Sequence, residues 1–363
     1  MDINILYNNW VRSFNFNVKI IYMKIKKKLL VSFSGGETSG YLLWFIMNIW
    51  SKRDDYEIVV VYANTGEENE ETLLFIKKCS EFFNIKVVWV EARIMYGVAF
   101  NMEKYIFDKP NLDIFKLVMK RKFRLKENGF NKLFKHFGVG TRHTIVDFNT
   151  ASRKGEPFEN VIRKYGIPNQ AFPHCNRELK LRPIHSYIKS ELGWDDYCTA
   201  IGIRYDEIDR MVVNRKTYNI IYPLIEDTRM TKQKINFWWS QQPFRLKLKG
   251  YQGNCKTCWK KSFKNLYTIA KEEPTYFDFF KTMETKYGKV TPLGREKVLD
   301  SNDNKKMMTF FRGGKSVDEV INESKYFTDG VVDANLNTNY QVNLLDMIDE
   351  VESCDIFSNC GED

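Results

Sequence analysis

The stretch KKLLVSFSGGETSGYLLWFIMNIW spans residues 27–50 and decides the architecture of the chain. Its apolar run 29–33 favours a β-strand, and the apolar residues after the glycines recur at helical spacing. Gly35 and Gly36 separate the two, so a strand, a glycine turn and a helix follow in succession. Backbone N–H groups in such a turn and the positive end of the helix together attract an anion. The stretch therefore predicts a polyphosphate site.

A strand–helix turn that merely happens to be glycine-rich is the alternative interpretation. The Walker motif is excluded because no lysine follows the glycines, and the dinucleotide fingerprint because its three-glycine spacing is absent. The segment instead resembles the PP-loop, S-G-G-x-[DT]-S, of the ATP pyrophosphatases and the phosphoadenosine phosphosulfate (PAPS) reductase family. Many members carry Asp where this chain has Thr, which favours the reductase-like branch. The matching residues are Ser34, Gly35, Gly36, Glu37, Thr38 and Ser39.

Further apolar runs predict the rest of an α/β domain. The run 56–62 is followed by a helical pattern over 70–83 and a third strand over 85–90. Tyr197–Ile203 and Ile220–Ile225 predict the fourth and fifth strands. Strands that alternate with helices and contain continuous valine runs are typical of a parallel sheet covered on both faces. We therefore predict a doubly wound, mostly parallel five-stranded sheet, and the resemblance implies the adenine nucleotide alpha hydrolase-like fold.

The end of the second predicted strand carries a second family-like segment. Asn64, Thr65, Gly66 and Glu67 are similar to the [DN]-T-G-x-E segment of the reductase family. Asn64 and Thr65 can hydrogen-bond a ribose or a base edge, and Gly66 allows close approach of the backbone. The alternative is a polar loop whose acidic residues favour the following helix N-terminus. Ligands in such sheets bind at the carboxyl ends of strands, where this segment and the glycine turn both lie.

Two later segments complete the resemblance, which covers roughly residues 28–261. C-x-x-x-L-K-x-x-P contains Cys175 and Lys180, and G-I-R-x-D-E-x-x-R contains Gly202, Arg204 and Arg210. The resemblance implies that Lys180 is a phosphate-facing cation and that Arg204 contacts a bound phosphate or sulfate. Lys180, Arg204 and Arg210 are the candidate catalytic residues. The two acids between the arginines are expected to be structural and to pair with Arg210.

A cysteine pair gives the second strong signal. Cys255 and Cys258 form a C-x-x-C motif whose two thiolates can reach one metal, and neighbouring lysines favour the thiolate form. Cys354 and Cys360 are candidates for the two missing metal ligands, and Cys175 is an alternative candidate for one of these ligand positions. Sulfur ligands suit either Zn²⁺ or an iron–sulfur cluster, and spacing does not separate these. The alternatives are a redox-active pair, or a chance pair with a disordered tail.

Composition bounds the domain organisation. The chain has 363 residues, 43% of them hydrophobic, and a formal net charge of +10, which fits an anionic substrate or a nucleic acid. No apolar run reaches the roughly 18–20 residues of a membrane span, so we expect a cytoplasmic protein. We expect residues 1–23 to be a disordered or non-native extension and 24–245 to form the nucleotide-binding domain. A basic helical insertion is predicted over about 92–171, and a cysteine-containing helical subdomain with its tail over 246–363.

These observations and the resemblance lead to one principal hypothesis. The chain would bind ATP with Mg²⁺, adenylylate a substrate and release pyrophosphate, before sulfur transfer from a donor protein to a nucleobase or nucleic acid such as tRNA or DNA. One alternative is a sulfonucleotide reductase, although the E-C-G-L-H tail of those enzymes has only a partial counterpart around Cys360. Another is a nucleotide-sensing or nucleic-acid-binding module without catalysis.

Overall fold

A six-stranded sheet in the order β4-β3-β2-β1-β5-β6 forms the centre of the computed structural model. The model describes residues 26–52, 55–95, 140–289, 307–331, 333 and 335. All neighbouring strands are parallel except β3 and β4, which run antiparallel. The strands are Lys27–Ser32 (β1), Tyr56–Asn64 (β2), Val87–Met95 (β3), Gly140–Val146 (β4), Cys198–Ala200 (β5) and Ile220–Ile221 (β6).

Helices follow or precede most of these strands. A π-helical turn, Ile46–Trp50, continues the first of them, and another, Arg177–Leu181, joins the fourth to the fifth. The helices are Glu37–Phe45 (α1), Glu70–Phe82 (α2), Glu156–Tyr165 (α3), His174–Asn176 (α4), Arg182–Glu191 (α5), Pro223–Glu226 (α6), Lys232–Ser240 (α7), Phe263–Glu272 (α8), Asp278–Tyr287 (α9) and Val317–Ser324 (α10). No helix in these described ranges is long and apolar enough to cross a membrane.

Alternating residues of the central strands explain why the sheet is covered on both faces. Leu29 and Val31 of β1 belong to the larger core, to which α1, α2 and α7 contribute. Leu30, between them, belongs to a second core that contains Ile184 and Ile188 of α5. Because successive side chains of a strand point to opposite faces, such a strand must be apolar throughout. The mixed α/β architecture and the mostly parallel sheet are therefore as predicted.

The strand count and several boundaries differ from the prediction. Gly140–Val146 is an antiparallel edge strand inside the range predicted as a helical insertion, and its consecutive polar residues, 141–144, lack the apolar alternation that indicates a strand. The strand predicted over Ile220–Ile225 ends at Ile221, because Pro223 opens a helix instead. The strand predicted over Tyr197–Ile203 is only Cys198–Ala200. The N-terminal extension, residues 96–139 of the predicted insertion, Cys354 and Cys360 lie outside the described residues.

The helices after the cysteine pair form a separate core with α3. Phe280, Phe310 and Val317 are among its fully buried members. Glu284 of α9 lies inside it, where its carboxylate accepts hydrogen bonds from Phe310 N at 2.9 Å and Val317 N at 2.8 Å. Burial raises the pKa of Glu284 to about 7, although the two backbone donors oppose the shift.

This raised pKa predicts a pH-dependent contribution to stability. The folded chain retains a proton on Glu284 that the unfolded chain releases above its ordinary pKa, so stability is lost as pH rises from about 4.5 to 7. We expect E284Q to be less stable than the wild type at pH 5 by about 1–3 kcal/mol, because an amide NH₂ replaces one acceptor. The difference in free energy of unfolding between E284Q and the wild type should be smaller at pH 8 than at pH 5, as measured by urea unfolding.

The control for this measurement is E57Q, which changes an exposed carboxylate on β2. The free energy of unfolding of E57Q should change with pH as that of the wild type does. A constant gap between E284Q and the wild type from pH 5 to 8 would contradict the assignment.

Candidate functional site

The glycine bend, residues 34–39, joins β1 to α1 and is closed by its own hydroxyl groups. Ser34 Oγ donates to Ser39 Oγ at 2.9 Å, and Ser39 Oγ donates to the Gly36 carbonyl oxygen at 2.9 Å. Gly35 has a φ of +82°, and an added Cβ would lie 2.7 Å from Thr72 Cγ2. Only glycine fits this position, because both its backbone conformation and its contact with α2 exclude a side chain.

Arginines from later in the chain bind the side chains of Glu37 and Thr38 in the first turn of α1. Glu37 forms a bidentate ion pair with Arg245, with oxygen–nitrogen distances of 2.9 and 3.0 Å. Thr38 Oγ1 accepts from Arg204 Nη1 at 3.2 Å. Gly36 occupies the N-cap position, and no side chain caps the helix. An uncapped helix start next to a glycine turn is the arrangement that binds phosphate in many proteins.

Several predicted residues line one cavity at the carboxyl ends of β1, β2 and β5, here called the strand-end cavity. Ser34 and Ser39 of the glycine bend line it together with Gly202 and Lys180. A Cβ on Gly202 would approach Ser39 Cα to 3.1 Å, so a glycine is needed for this close packing. Glu68, which the sequence analysis did not single out, contributes a carboxylate to the wall. The cavity thus combines hydroxyls, one lysine and one carboxylate.

A second cavity lies on the other side of the bend and is called the glycine-side cavity. Gly35, Gly36 and Glu37 line it, together with Lys232, Lys249 and Asn335. A Cβ on Gly36 would meet only Ser34 Oγ, at 3.9 Å, so the space in front of this residue is open. Ser34 and Asn254 line both cavities, which therefore adjoin along the bend.

Asn64 and Thr65 do not occupy the position expected for contacts to a ribose or a base. Asn64 Nδ2 donates to Glu91 Oε1 at 2.6 Å and to the Ser152 carbonyl oxygen at 2.8 Å, and the residue is fully buried. Thr65 donates to the Glu68 carboxylate through both N and Oγ1. Neither residue lines the strand-end cavity. Their polar groups instead hold the end of β2 in place, because each finds buried partners within the protein.

The same loop packs against the cysteine pair. Thr65 Oγ1 lies 3.4 Å from Cys255 Sγ, and the Glu67 carbonyl oxygen accepts from Lys256 N at 2.9 Å. Gly66, with a φ of +84°, accepts a backbone hydrogen bond from Gly155. Burial raises the pKa of the Glu67 carboxyl to about 8. The predicted nucleotide loop is therefore the contact between the sheet and the cysteines.

Three cysteines line a third cavity, the cysteine cavity. Cys175, Cys255 and Cys258 are all buried and surround it together with Thr65 and Lys180. Within the described ranges, no group of three or more His, Cys, Asp or Glu side chains is close enough to hold one metal ion. The three sulfurs thus share a cavity without converging on a single point. Lys180 belongs to both this cavity and the strand-end cavity.

Opposing electrostatic effects act on these cysteines. Burial raises the pKa of the Cys255 thiol well above its usual range, and Lys180 and the hydrogen bond to Thr65 oppose the shift. The buried Lys261 donates to the carbonyl oxygens of Tyr251, at 2.6 Å, and Gly253. Its own pKa is lowered to about 8 by burial, while Cys258 and Cys255 act in the opposite direction. Burial therefore favours the protonated form of the Cys255 thiol.

Arg204 is placed differently from the expectation, whereas Arg210 is not. Arg204 is buried, and its guanidinium donates to Asp206 Oδ1 at 3.1 Å and lies 3.4 Å from Glu207 Oε1. It lines neither cavity at the bend, so the expected direct contact with a ligand is replaced by its bond to Thr38. Two nearby carboxylates compensate its charge internally. Arg210 pairs with Glu207, as expected for the structural acids.

Sequence reasoning missed several polar residues of the site. Glu68, Lys232 and Arg245 reach the bend from a loop and from the region around α7. Glu68 stands at the fixed Glu position of the [DN]-T-G-x-E segment, whereas Lys232 and Arg245 belong to no recognised motif. Lys261 could have been noticed, because it lies three residues after the C-x-x-C motif. Lys232 and Arg245 are brought in by tertiary packing, which leaves no local pattern.

The two glycines of the bend give a matched test of the anion site. We expect G36A to keep the wild-type melting temperature within about 2 °C, because its Cβ has room, but to bind ATP at least about tenfold more weakly, because the methyl group occupies the open space. G35A should instead destabilise the fold by about 1–3 kcal/mol, through its positive φ and its clash with Thr72. Thermal unfolding and calorimetric ATP titration separate the two effects. Undiminished ATP binding by G36A would contradict the site.

Comparison with known proteins gives distant relatives. No protein-family model matches the chain. An uncharacterized nin region protein of Escherichia phage lambda, ORF290, is 27% identical over 328 residues, which cover 90% of this chain and 94% of the relative. An uncharacterized protein of Methanocaldococcus jannaschii is 24% identical over 215 residues, 58% of this chain but only 31% of the relative. Among solved structures, the U34-tRNA thiolase NcsA from Methanococcus maripaludis, with its [4Fe-4S] cluster, aligns over 84% of this chain and 86% of its own. Its sequence identity is 11% and its TM-score 0.29, values too low to establish a common fold.

Proposed function

We propose that this chain is an ATP-dependent enzyme that adenylylates its substrate, releases pyrophosphate and prepares the activated atom for replacement by sulfur. The observation that carries the proposal is the position of Lys180. This one lysine lines both the strand-end cavity, with the glycine bend, and the cysteine cavity. A site for a nucleotide and a site for sulfur chemistry therefore share a wall.

The nucleotide is assigned to the cavities along the bend. Adenosine would lie in the strand-end cavity, where Phe33, Tyr62 and Ile201 provide apolar surface, and the phosphates would follow the bend. This position replaces the one expected beside Asn64 and Thr65. Glu68 offers a carboxylate beside the phosphates, a combination that suits a bound Mg²⁺, because the cation compensates both negative groups.

The adenylylation step uses groups that are already in place. An oxygen of the substrate attacks the α-phosphorus, a new P–O bond forms, and the bond to the pyrophosphate leaving group breaks. Lys180 would compensate charge on the α-phosphate during the attack, while the uncapped start of α1 holds the departing phosphates. Arg204 acts as a positioning residue, because it fixes Thr38 in the first turn of α1.

Cys175, Cys255 and Cys258 are the proposed ligands of an iron–sulfur cluster. Three buried sulfurs around one cavity fit a polynuclear group, and the cations Lys180 and Lys261 favour the negative charge of bound thiolates. Such a cluster, when bound, supplies iron that can ligate a sulfur atom. Zn²⁺ is the alternative occupant, with further ligands from outside the described residues.

A nucleic acid, tRNA or DNA, is the proposed acceptor class, and a separate protein is the proposed sulfur donor. The net charge of +10 supports an anionic macromolecule as partner. A nucleobase carbonyl oxygen has the chemistry that the reaction needs, because adenylylation converts it into a leaving group that sulfur can displace. The resemblance to the PAPS reductase family supports the same nucleotide site but leaves the acceptor open.

Pyrophosphate release tests this proposal. Purified protein with ATP, Mg²⁺ and either tRNA, DNA or free nucleobases should release pyrophosphate with at least one acceptor. K180M should lower kcat by about 10²–10³-fold, because it removes the charge beside the α-phosphate. K189M, an exposed change on α5, is the control and should leave the rate unchanged. ATP binding without pyrophosphate release from any acceptor would overturn the proposal, as would equal rates for the two variants.

Metal analysis tests the cysteine assignment independently of activity. Anaerobically purified or reconstituted protein should be brown and contain iron and acid-labile sulfide. C175S, C255S and C258S should each lose visible absorbance and most of the iron, because each removes one ligand. C198S changes a half-buried cysteine of β5 and should keep both. Colourless wild-type protein that holds stoichiometric zinc would contradict the cluster.

A further inference from the structure

The glycine-side cavity contains a lysine that no motif predicts. Lys232 is the first residue of α7 and is only 2% exposed, although its side chain lines the cavity beside Gly35 and Gly36. Its backbone N donates to Asp206 Oδ2 at 3.1 Å. Asp206 also binds Arg204, so the position of Lys232 is fixed relative to the first turn of α1.

The ammonium group of this lysine has a neutral amide among its partners. Lys232 Nζ donates to Asn335 Oδ1 at 2.6 Å. An anionic oxygen is a stronger partner for an ammonium than an amide oxygen. The geometry thus places the Lys232 side chain beside an open space that borders the glycine bend.

Asn335 is itself held by residues around the cavity. Its side-chain Nδ2 donates to the Leu248 carbonyl oxygen at 2.9 Å, and its main-chain carbonyl oxygen accepts from Arg245 Nη2 at 2.8 Å. Arg245 is the residue that binds Glu37 of the bend. The neutral amide of Asn335 therefore covers the Lys232 ammonium, and Arg245, which also binds Glu37 of the bend, holds Asn335 in place.

We propose that the Lys232 ammonium binds the terminal phosphates of the nucleotide. When no nucleotide is bound, Asn335 Oδ1 accepts the hydrogen bond that a phosphate oxygen would otherwise accept. This inference rests on the proposed function for the placement of adenosine. The two bend cavities adjoin at Ser34, so a nucleotide whose base lies in the strand-end cavity directs its phosphate chain past Gly36 toward Lys232. A monophosphate ends before this lysine, whereas a triphosphate or free pyrophosphate reaches it.

Selectivity for phosphate chain length is the measurable result. Calorimetric titrations of the full chain with ATP, AMP and inorganic pyrophosphate should show that K232M weakens ATP and pyrophosphate binding by about 10- to 100-fold and changes AMP binding less than about twofold. K232Q should behave in the same way, although its amide can still donate to Asn335. N335D should also weaken ATP binding selectively, because a carboxylate competes with phosphate for the ammonium.

K234M is the matched control. Lys234 is an exposed lysine two residues after Lys232 on the same helix, and it donates to the Arg229 carbonyl oxygen. K234M should bind all three ligands as the wild type does. Unchanged AMP binding also verifies that each variant is folded. Equal weakening of ATP and AMP binding in K232Q, or no change in ATP binding, would overturn the inference.

Failure of the proposed function has a different signature. Binding of ATP and pyrophosphate that depends on Lys232, without pyrophosphate release from any acceptor, would reject the adenylylation reaction and retain the phosphate site. A wild-type protein that binds neither ATP nor pyrophosphate would overturn both.

Discussion

The arrangement of this site depends on how the side chains in the first turn of α1 are restrained. A helix start is usually capped by a Ser, Thr, Asp or Asn side chain at the N-cap position, which Gly36 occupies here. Here Ser39 is committed to the carbonyl oxygen of Gly36, while Arg204 binds Thr38 and Arg245 binds Glu37. The helix therefore begins without a side-chain cap because its N-cap residue is a glycine, and two arginines from later in the chain hold the side chains of its first turn.

Buried Glu68 and Lys261, and the half-buried Lys180, place charges of opposite sign around the bend and the cysteines. Glu68 lies in the strand-end cavity, while Lys180 lies between the bend and the cysteines. Lys261 is buried close to the cysteine pair, where its ammonium donates to backbone carbonyl oxygens. Buried ions are a poor source of stability compared with well-packed apolar groups, so such a concentration indicates a binding or chemical role. The reduced pKa of Lys261 and the raised pKa of Cys255 show how strongly burial acts there.

Sequence patterns predicted the central strands well and the peripheral ones poorly. The valine run of β2 is legible because both of its faces are buried, whereas β4 is an edge strand whose Thr, Arg and His side chains conceal its period. The motif residues Ser34, Ser39, Lys180 and Gly202 meet in one cavity, yet Asn64 turns inward to Glu91. A motif specifies which residues are near a site, but the direction of a polar side chain depends on buried partners far along the chain. For the same reason, nothing in the local sequence around Lys232 or Arg245 indicated their positions.

Asn254 lines both cavities at the bend, and the next residue, Cys255, lines the cysteine cavity. Asn254 has a φ of +63°, and its neighbour is held by a β-bridge to Glu68, so this short piece of backbone has little freedom to adjust. Order imposed on one of these two residues is therefore shared by the other across a single peptide bond. A ligand held by Cys255 would therefore also restrict the backbone of Asn254, at the wall that the two cavities along the bend have in common.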